Sequence, residues 1–66
     1  MRFTRITYYQ DPLNDHDWII AADAGDPSME HVLDSAESEE EAILLANREA
    51  ERRGLGEPEY VPCNLL

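Results

Sequence analysis

The chain has 66 residues and a formal charge of −10, because fifteen acidic side chains face only five cationic ones, all arginines. A chain of this length forms one small domain that buries about 60 % of its unfolded surface, which leaves little room for the cleft of roughly 300 Å³ or more that catalysis usually needs. The negative field repels nucleic acid and membrane surfaces and attracts basic proteins. These properties argue against an enzyme, a direct nucleic-acid binder and a membrane-surface protein.

Cellular location follows from the cysteine count and the hydropathy. The single cysteine, Cys63, cannot form an internal disulfide, so no oxidising compartment is indicated. The N-terminal residues lack the apolar core of a signal peptide, and no apolar run approaches the roughly 20 residues that span a bilayer. A cytoplasmic protein is expected.

The first predicted strand covers residues 2–9, which are rich in Thr, Ile, Tyr and Phe. We expect Ile6 and Tyr8 to share the core-facing side with Thr4. An acidic loop follows over residues 10–17, where Asp-Pro and Asn-Asp pairs are typical of turns.

Two further short strands are predicted over residues 18–22 and 29–34, separated by a turn over 24–28. In the second strand Trp18, Ile20 and Ala22 share one face. The opposite face, which we expect to project into water, carries the carboxylates of Asp17, Asp23, Glu30 and Asp34.

The clearest element is a helix that begins after Ser38. Ser38 and Glu41 have the spacing of a capping box, in which the hydroxyl accepts from a helical N–H and the glutamate accepts from the N–H of the cap. Gly54 predicts a left-handed stop, and Leu55 suits the apolar contact of a Schellman ending. At about 100° per residue the apolar face comprises Ala42, Ile43, Ala46 and Ala50, with Leu45 on its flank.

A last strand is predicted over residues 60–65, with Val61, Cys63 and Leu65 pointing inward. Pro62 lacks an N–H, so this strand belongs at a sheet edge or is broken. The order β-β-β-α-β predicts an α+β fold in which one helix covers one face of a mainly antiparallel sheet. If the last strand lies beside the first, that pair is parallel.

Candidate catalytic and metal sites are weak. His16 lies among Asp11, Asp15 and Asp17, but these residues fit neither a zinc site nor a calcium loop, and a solvated acidic turn is the better interpretation. His31 is interpreted as a partly buried core histidine. No nucleophile turn or phosphate-binding glycine loop occurs, so we expect no catalytic residue, no metal and no cofactor.

The strongest functional signal is the segregation of charge. Residues 6–47 carry eleven carboxylates and no arginine, whereas ordinary solvated surfaces intersperse both signs. A field of one sign favours steering toward a basic partner, although solubility alone is the simpler alternative. The predicted partner contacts are Asp11, Asp15, Asp17, Asp23, Asp26, Glu30, Asp34, Glu37, Glu39, Glu40 and Glu41.

The chain resembles a known group of inhibitors in its length, its carboxylates from Asp11 through Glu41, its strand order and its lack of a catalytic constellation. It looks like the small acidic anti-CRISPR proteins of phages and mobile elements, some of which mimic DNA and block target binding by type I Cascade complexes. The resemblance implies a non-enzymatic, cytoplasmic inhibitor that occupies the DNA-binding groove of a CRISPR effector complex. Tyr8, Tyr9, Leu13 or Leu44 would then supply selectivity at its rim.

A second resemblance leads to a different expectation. The chain is similar to small uncharacterised bacterial domains with a strand, strand, helix, strand layout. The similarity lies in Trp18-Ile19-Ile20, the Glu40-Glu41-Ala42 run and Gly54. The alternative function is therefore a protein-interaction module, such as an antitoxin or adaptor, that binds a basic protein. A hydrolase or metal protein built on His16 and its neighbours ranks last.

Overall fold

The computed structural model describes residues 3–14, 16–25 and 29–62, and these form an α+β domain with one helix on one face of a four-stranded sheet. The predicted fold class and element order are confirmed. The elements are β1 (Arg5–Gln10), β2 (Trp18–Asp23), β3 (His31–Ala36), α1 (Glu39–Arg53) and β4 (Glu59–Tyr60).

The strands lie in the order β3-β2-β1-β4. β2 is antiparallel to both β1 and β3, while β4 is parallel to β1. This arrangement confirms the parallel pairing expected for the last strand and its position at a sheet edge. The β1–β2 register runs from Arg5 opposite Asp23 to Gln10 opposite Trp18.

Strand boundaries differ from the prediction, most clearly in β3, which begins and ends two residues later than expected. The strand also contains a β-bulge: Ile20 pairs with Asp34 and Ala21 with Val32, so that Leu33 is an extra residue in the ladder. The bulge breaks the simple alternation along β3. Asp34 is therefore opposite core-facing Ile20 and not on the outer face of the sheet, although its side chain is exposed, as predicted.

The last strand is much shorter than the predicted range 60–65. β4 contains only Glu59 and Tyr60, and Val61, which was expected to point inward, is 38 % exposed. Pro62 follows directly, and without an N–H it cannot extend the pairing with β1. The predicted inward residues Cys63 and Leu65 lie outside the described residues.

The start of α1 follows the predicted capping box with one change. The backbone N–H of Glu41 donates to Oγ of Ser38 at 3.2 Å, as expected. The Glu41 carboxylate, however, accepts from the N–H of Glu37 at 3.3 Å, one residue before the cap. The Glu41 side chain therefore provides a hydrogen-bond acceptor for the backbone N–H of Glu37, which precedes the helix.

The end of α1 has the predicted Schellman geometry. Gly54 adopts φ 67° and ψ 29°, which is the left-handed conformation that glycine tolerates best. The N–H of Leu55 donates to the carbonyl of Ala50 at 2.8 Å and that of Gly54 to the carbonyl of Glu51 at 3.2 Å. Leu55 also packs against the core.

The core lies between α1 and the sheet and consists largely of small residues. Short alanine side chains let the helix backbone approach the strands closely. The predicted helix face is confirmed except for Ile43, which is 38 % exposed at the rim. Leu44 is 61 % exposed, as its outward position predicted. The buried cluster comprises Ile6, Ile20, Ala22, Ala36, Ala42, Ala46 and Ala50.

The second face of the sheet is not simply a solvated acidic surface. Thr7, Ala21 and Asp23 are 3 %, 0 % and 1 % exposed, respectively. The prediction that Asp23 projects into water is therefore wrong. The arginine beside it, described below, makes its burial possible.

Candidate functional site

The strand register brings two acidic segments to one end of the sheet. Gln10, Trp18 and Ala36 lie side by side on the last shared rung of β1, β2 and β3. The loop after β1 and the segment after β3 leave the sheet at this same rung. Together they form what we call the acidic end, which comprises Asp11, Asp17, Glu37, Glu39, Glu40 and Glu41.

Local hydrogen bonds fix the loop part of the acidic end. The N–H of Asp11 donates to the carbonyl of Asp17 at 2.9 Å, which closes the loop. Oδ1 of Asp11 accepts from the N–H of Leu13 at 2.9 Å, and Oδ2 of Asp17 accepts from the Asn14 amide at 3.0 Å. Both carboxylates are therefore held in place while their charge remains near the surface.

The helix part of the acidic end comes from the cap and the first turn of α1. Glu37, Glu39 and Glu40 are exposed, and carboxylates are stabilised at this position by the positive end of the helix dipole. Glu41 is also exposed, but its carboxylate serves the backbone of Glu37. In the helix part of the acidic end, the residues best placed to contact a partner are therefore Glu37, Glu39 and Glu40.

Two predicted contact residues lie at the far end of the sheet. Asp23 occupies the last residue of β2, so its backbone lies one six-residue strand, about 17 Å, from the acidic end. Glu30 precedes β3 at the same far end. Glu30 is half-buried and accepts a hydrogen bond from the Tyr9 hydroxyl. These two residues do not join the acidic end.

Asp23 is occupied by an ion pair within the domain. Nε of Arg5 donates to its Oδ1 at 2.8 Å, and the N–H of Gly25 donates to the same oxygen at 2.7 Å. The hydrogen bond from Arg5 lowers the pKa of Asp23 below its ordinary value despite the opposing effect of burial. The guanidinium also reaches Glu59 at 3.4 Å. The Asp23 carboxylate is thus buried and paired within the domain.

The other predicted acids have mixed outcomes. Asp34 is exposed and its Oδ1 accepts from the N–H of Ser35 at 2.8 Å. It lies on the edge strand, two residues before Ala36, which is on the last shared rung. Asp15 and Asp26 lie outside the described residues.

Most described arginines are distant from the acidic end. Arg52 and Arg53 contact Glu49 at 3.1 and 3.2 Å in the last turns of α1. Arg53 also lies over the Phe3 ring, 5.7 Å from its centroid. These cations and Arg5 lie toward the end where β1 begins, and there they pair with acids such as Asp23 and Glu49.

An aromatic cluster was only partly foreseen from the sequence. Tyr8, Trp18 and Tyr60 have ring centroids 5.6 to 6.4 Å apart in all three pairs. Tyr8 was proposed as a rim residue, but Trp18 and Tyr60 were not. The alternation of side chains along β1 and β2 places Tyr8 and Trp18 on the same face of the sheet. Tyr60 joins them only because β4 pairs with β1.

Two further features bear on chemistry. His31 is exposed and contacts the edge of the Phe3 ring at 5.3 Å, so its interpretation as a partly buried core residue is wrong. Across residues 3–14, 16–25 and 29–62, no group of three or more His, Cys, Asp or Glu side chains is arranged to hold a metal ion. In the same ranges no helix has the length and apolar character to span a membrane.

Comparison with known proteins gives no assignment: no family model, curated protein or solved structure matches this chain. Function must therefore be inferred from the surface of the domain itself.

Proposed function

We propose that the protein is a non-enzymatic inhibitor whose acidic end occupies a basic, nucleic-acid-binding groove of a larger protein. The observation that supports this function is the collection of six carboxylates at one end of the sheet, away from Arg5, Arg52 and Arg53. A basic groove that accepts DNA would attract this end and orient the domain during encounter.

The density of charge suits mimicry of DNA. Duplex DNA carries one negative charge per roughly 1.7 Å of axis, so about 10 Å of duplex carries about six. Three neighbouring strands span about 10 Å, since strands lie about 4.8 Å apart. The six carboxylates of the acidic end therefore present a comparable charge over a comparable width. Binding would release counterions and depend strongly on salt.

The resemblance to anti-CRISPR proteins suggests a particular partner. A CRISPR effector complex such as type I Cascade holds target DNA in a basic groove, and the proposed inhibitor would act on it in the bacterial cytoplasm. In this proposal the chain uses no cofactor and does not itself bind nucleic acid or membrane.

A second candidate is a protein-interaction module of the antitoxin or adaptor type. Leu13, at the tip of the acidic loop, is 95 % exposed and would suit an apolar pocket on a basic protein that need not bind DNA. Duplex DNA competes for the partner under the first proposal and does not under the second.

The test compares two variants that change net charge equally. Glu37→Lys/Glu40→Lys reverses charge at the acidic end, whereas Glu51→Lys/Glu57→Lys reverses two exposed residues elsewhere. Displacement of labelled target duplex from a purified type I effector complex is measured at low and high salt. We expect the first variant to lose at least about tenfold in affinity and the control to stay within about twofold.

Two outcomes contradict the proposal. If the unmodified protein fails to displace the duplex, an effector groove of this type is not its target. If both variants lose affinity equally, binding follows net charge and not the acidic end. Capture from a bacterial lysate at low and high salt, followed by a DNA competition step, then tests the second candidate.

A further inference from the structure

The aromatic cluster occupies a corner of the sheet that the helix leaves open. Two residues connect the end of β3 to α1, and the helix ends where Arg53 lies over Phe3, near the start of β1. It therefore crosses the sheet away from the corner where β1 and β4 end. Tyr8, Trp18 and Tyr60 fill that corner and touch one another with ring planes tilted by 38 to 45°.

The cluster is anchored on one side and open on the other. Tyr8 and Trp18 are half-buried and pack against the core cluster, so their positions are fixed by the interior. Tyr60 on the edge strand is 50 % exposed. The result is a pre-formed aromatic surface that a planar group can approach from solvent.

Two kinds of planar group stack on such a surface, namely nucleobases and guanidinium groups. Proteins that stack nucleobases surround their aromatic residues with a positively charged groove. Here the adjoining surface is the acidic end, which begins at the rung of Trp18 and continues through Asp17 and Glu37. Charge complementarity therefore selects the guanidinium.

We propose that this aromatic corner docks an arginine side chain of a basic protein partner. The proposal rests on the proposed function, because the same basic groove would supply the arginine, and it adds the anchor that distinguishes one groove from another. Arginine stacks on aromatic faces and forms bidentate hydrogen bonds with carboxylates, whereas lysine offers only a point charge.

The domain already contains a contact of this composition at its other end. The Arg53 side chain lies over the Phe3 ring at 5.7 Å while its Nε donates to Glu49 at 3.2 Å. A ring and a carboxylate together thus hold a guanidinium within the fold. The aromatic corner offers a partner the Tyr60 or Trp18 ring, and the acidic end begins at the rung of Trp18.

The test uses Trp18, the only tryptophan in the chain, as an internal fluorescence reporter. Hexa-arginine and hexa-lysine peptides of equal charge are titrated separately at low ionic strength. We expect hexa-arginine to change the Trp18 emission in a saturable way and to bind about two- to fivefold more tightly than hexa-lysine. The indole N–H resonance of Trp18 gives a second readout.

Variants at Tyr60 assign this preference to the ring. Tyr60→Leu keeps apolar volume on the edge strand but removes the aromatic face, and we expect it to abolish the preference for arginine. Tyr60→Phe keeps the face and should retain the preference. Equal affinity of the two peptides for the unmodified protein, or an unchanged preference in Tyr60→Leu, would overturn the aromatic anchor.

Further arms separate this proposal from its alternatives and from the acidic end. Glu37→Lys/Glu40→Lys should lower the affinity for both peptides alike and preserve the preference for arginine. If neither affinity falls, the acidic end does not contribute to binding, but the role of the aromatic corner is unaffected. Saturable quenching of Trp18 by an oligothymidylate would instead assign the corner to nucleobases. A dimer that is lost in Tyr60→Leu would assign it to a second copy. Either result overturns the arginine proposal.

Discussion

Arg5 and Asp23 occupy facing positions on β1 and β2, and Nε of Arg5 donates to Oδ1 of Asp23 at 2.8 Å. The Asp23 side chain is 2 % exposed and that of Arg5 is 30 % exposed. The pair explains how a domain with an excess of acids buries a carboxylate without leaving it unsatisfied. It also fixes the β1–β2 register at the end opposite the acidic end.

Removal of the negative charge of Asp23 should destabilise the protein in a pH-dependent manner. Because the hydrogen bond from Arg5 lowers the folded-state pKa of Asp23, the stabilisation is present above the unfolded pKa of about 3.9 and disappears as pH falls through the folded value. Asp23→Asn should cost about 2 kcal/mol at pH 7. The difference between the two proteins should shrink below about pH 4.

Urea unfolding followed by Trp18 fluorescence at pH 7 and pH 3 measures this difference. Glu59→Gln is the matched control, since Glu59 is an exposed partner of the same guanidinium at 3.4 Å. It should change stability by no more than about 0.5 kcal/mol. A cost for Asp23→Asn that is equal at both pH values would show that the charge is not its origin.

The helix stop gives a second prediction. A Cβ at Gly54 would meet no atom within 4 Å, so its positive φ of 67° is the sole source of strain. We expect Gly54→Ala to cost about 1–2 kcal/mol by thermal unfolding. Gly56 has equal space and no positive φ, so Gly56→Ala should be neutral or stabilising by about 0.4–1 kcal/mol. Equal effects at the two sites would contradict this account.

The close approach of α1 to the sheet gives a third prediction. Ala46 is fully buried, so Ala46→Leu must displace the helix or distort side chains and should cost about 1–3 kcal/mol. Leu44→Ala removes an exposed side chain from the same helix and should change stability by less than about 0.5 kcal/mol. A stabilised Ala46→Leu protein would indicate unfilled space beneath the helix.

Salt should stabilise the domain. The protein measures 29 × 23 × 15 Å, and at 0.01 M ionic strength the screening length of about 30 Å lets carboxylates repel one another across the whole molecule. At about 0.15 M the length falls to about 8 Å, and only near neighbours interact. We expect the thermal midpoint in sodium chloride to rise over this range by several degrees, about 4–8 °C for each kcal/mol of repulsion relieved. A falling midpoint would mean that the ion pairs outweigh the repulsion.

The elements that sequence predicted best are those fixed by local chemistry. Ser38 and Gly54 bound the helix correctly because a cap or a left-handed stop depends on residues a few positions away. The strand boundaries were less accurate because they depend on pairing. The bulge at Leu33 reflects how β2 and β3 fit together, and no local pattern signals it.

The candidate site shows the same division. The charge excess was evident in the composition, but the set of acids that meet at one end was not, because it depends on the rung shared by Gln10, Trp18 and Ala36. Asp23 was misplaced because alternation alone put it in water. The signal that could have placed it was Arg5, which the β1–β2 hairpin sets opposite Asp23 at the end of the next strand.

The bulge in β3 has a consequence for behaviour at high concentration. β3 forms the outer border of the sheet, and a straight outer strand is a template on which another molecule can add its own strand and begin a fibril. The extra residue at Leu33 bends that border, and Asp34 beside it adds an exposed charge to the border strand. The β3 edge therefore carries two of the features by which proteins discourage the pairing of their own copies edge to edge.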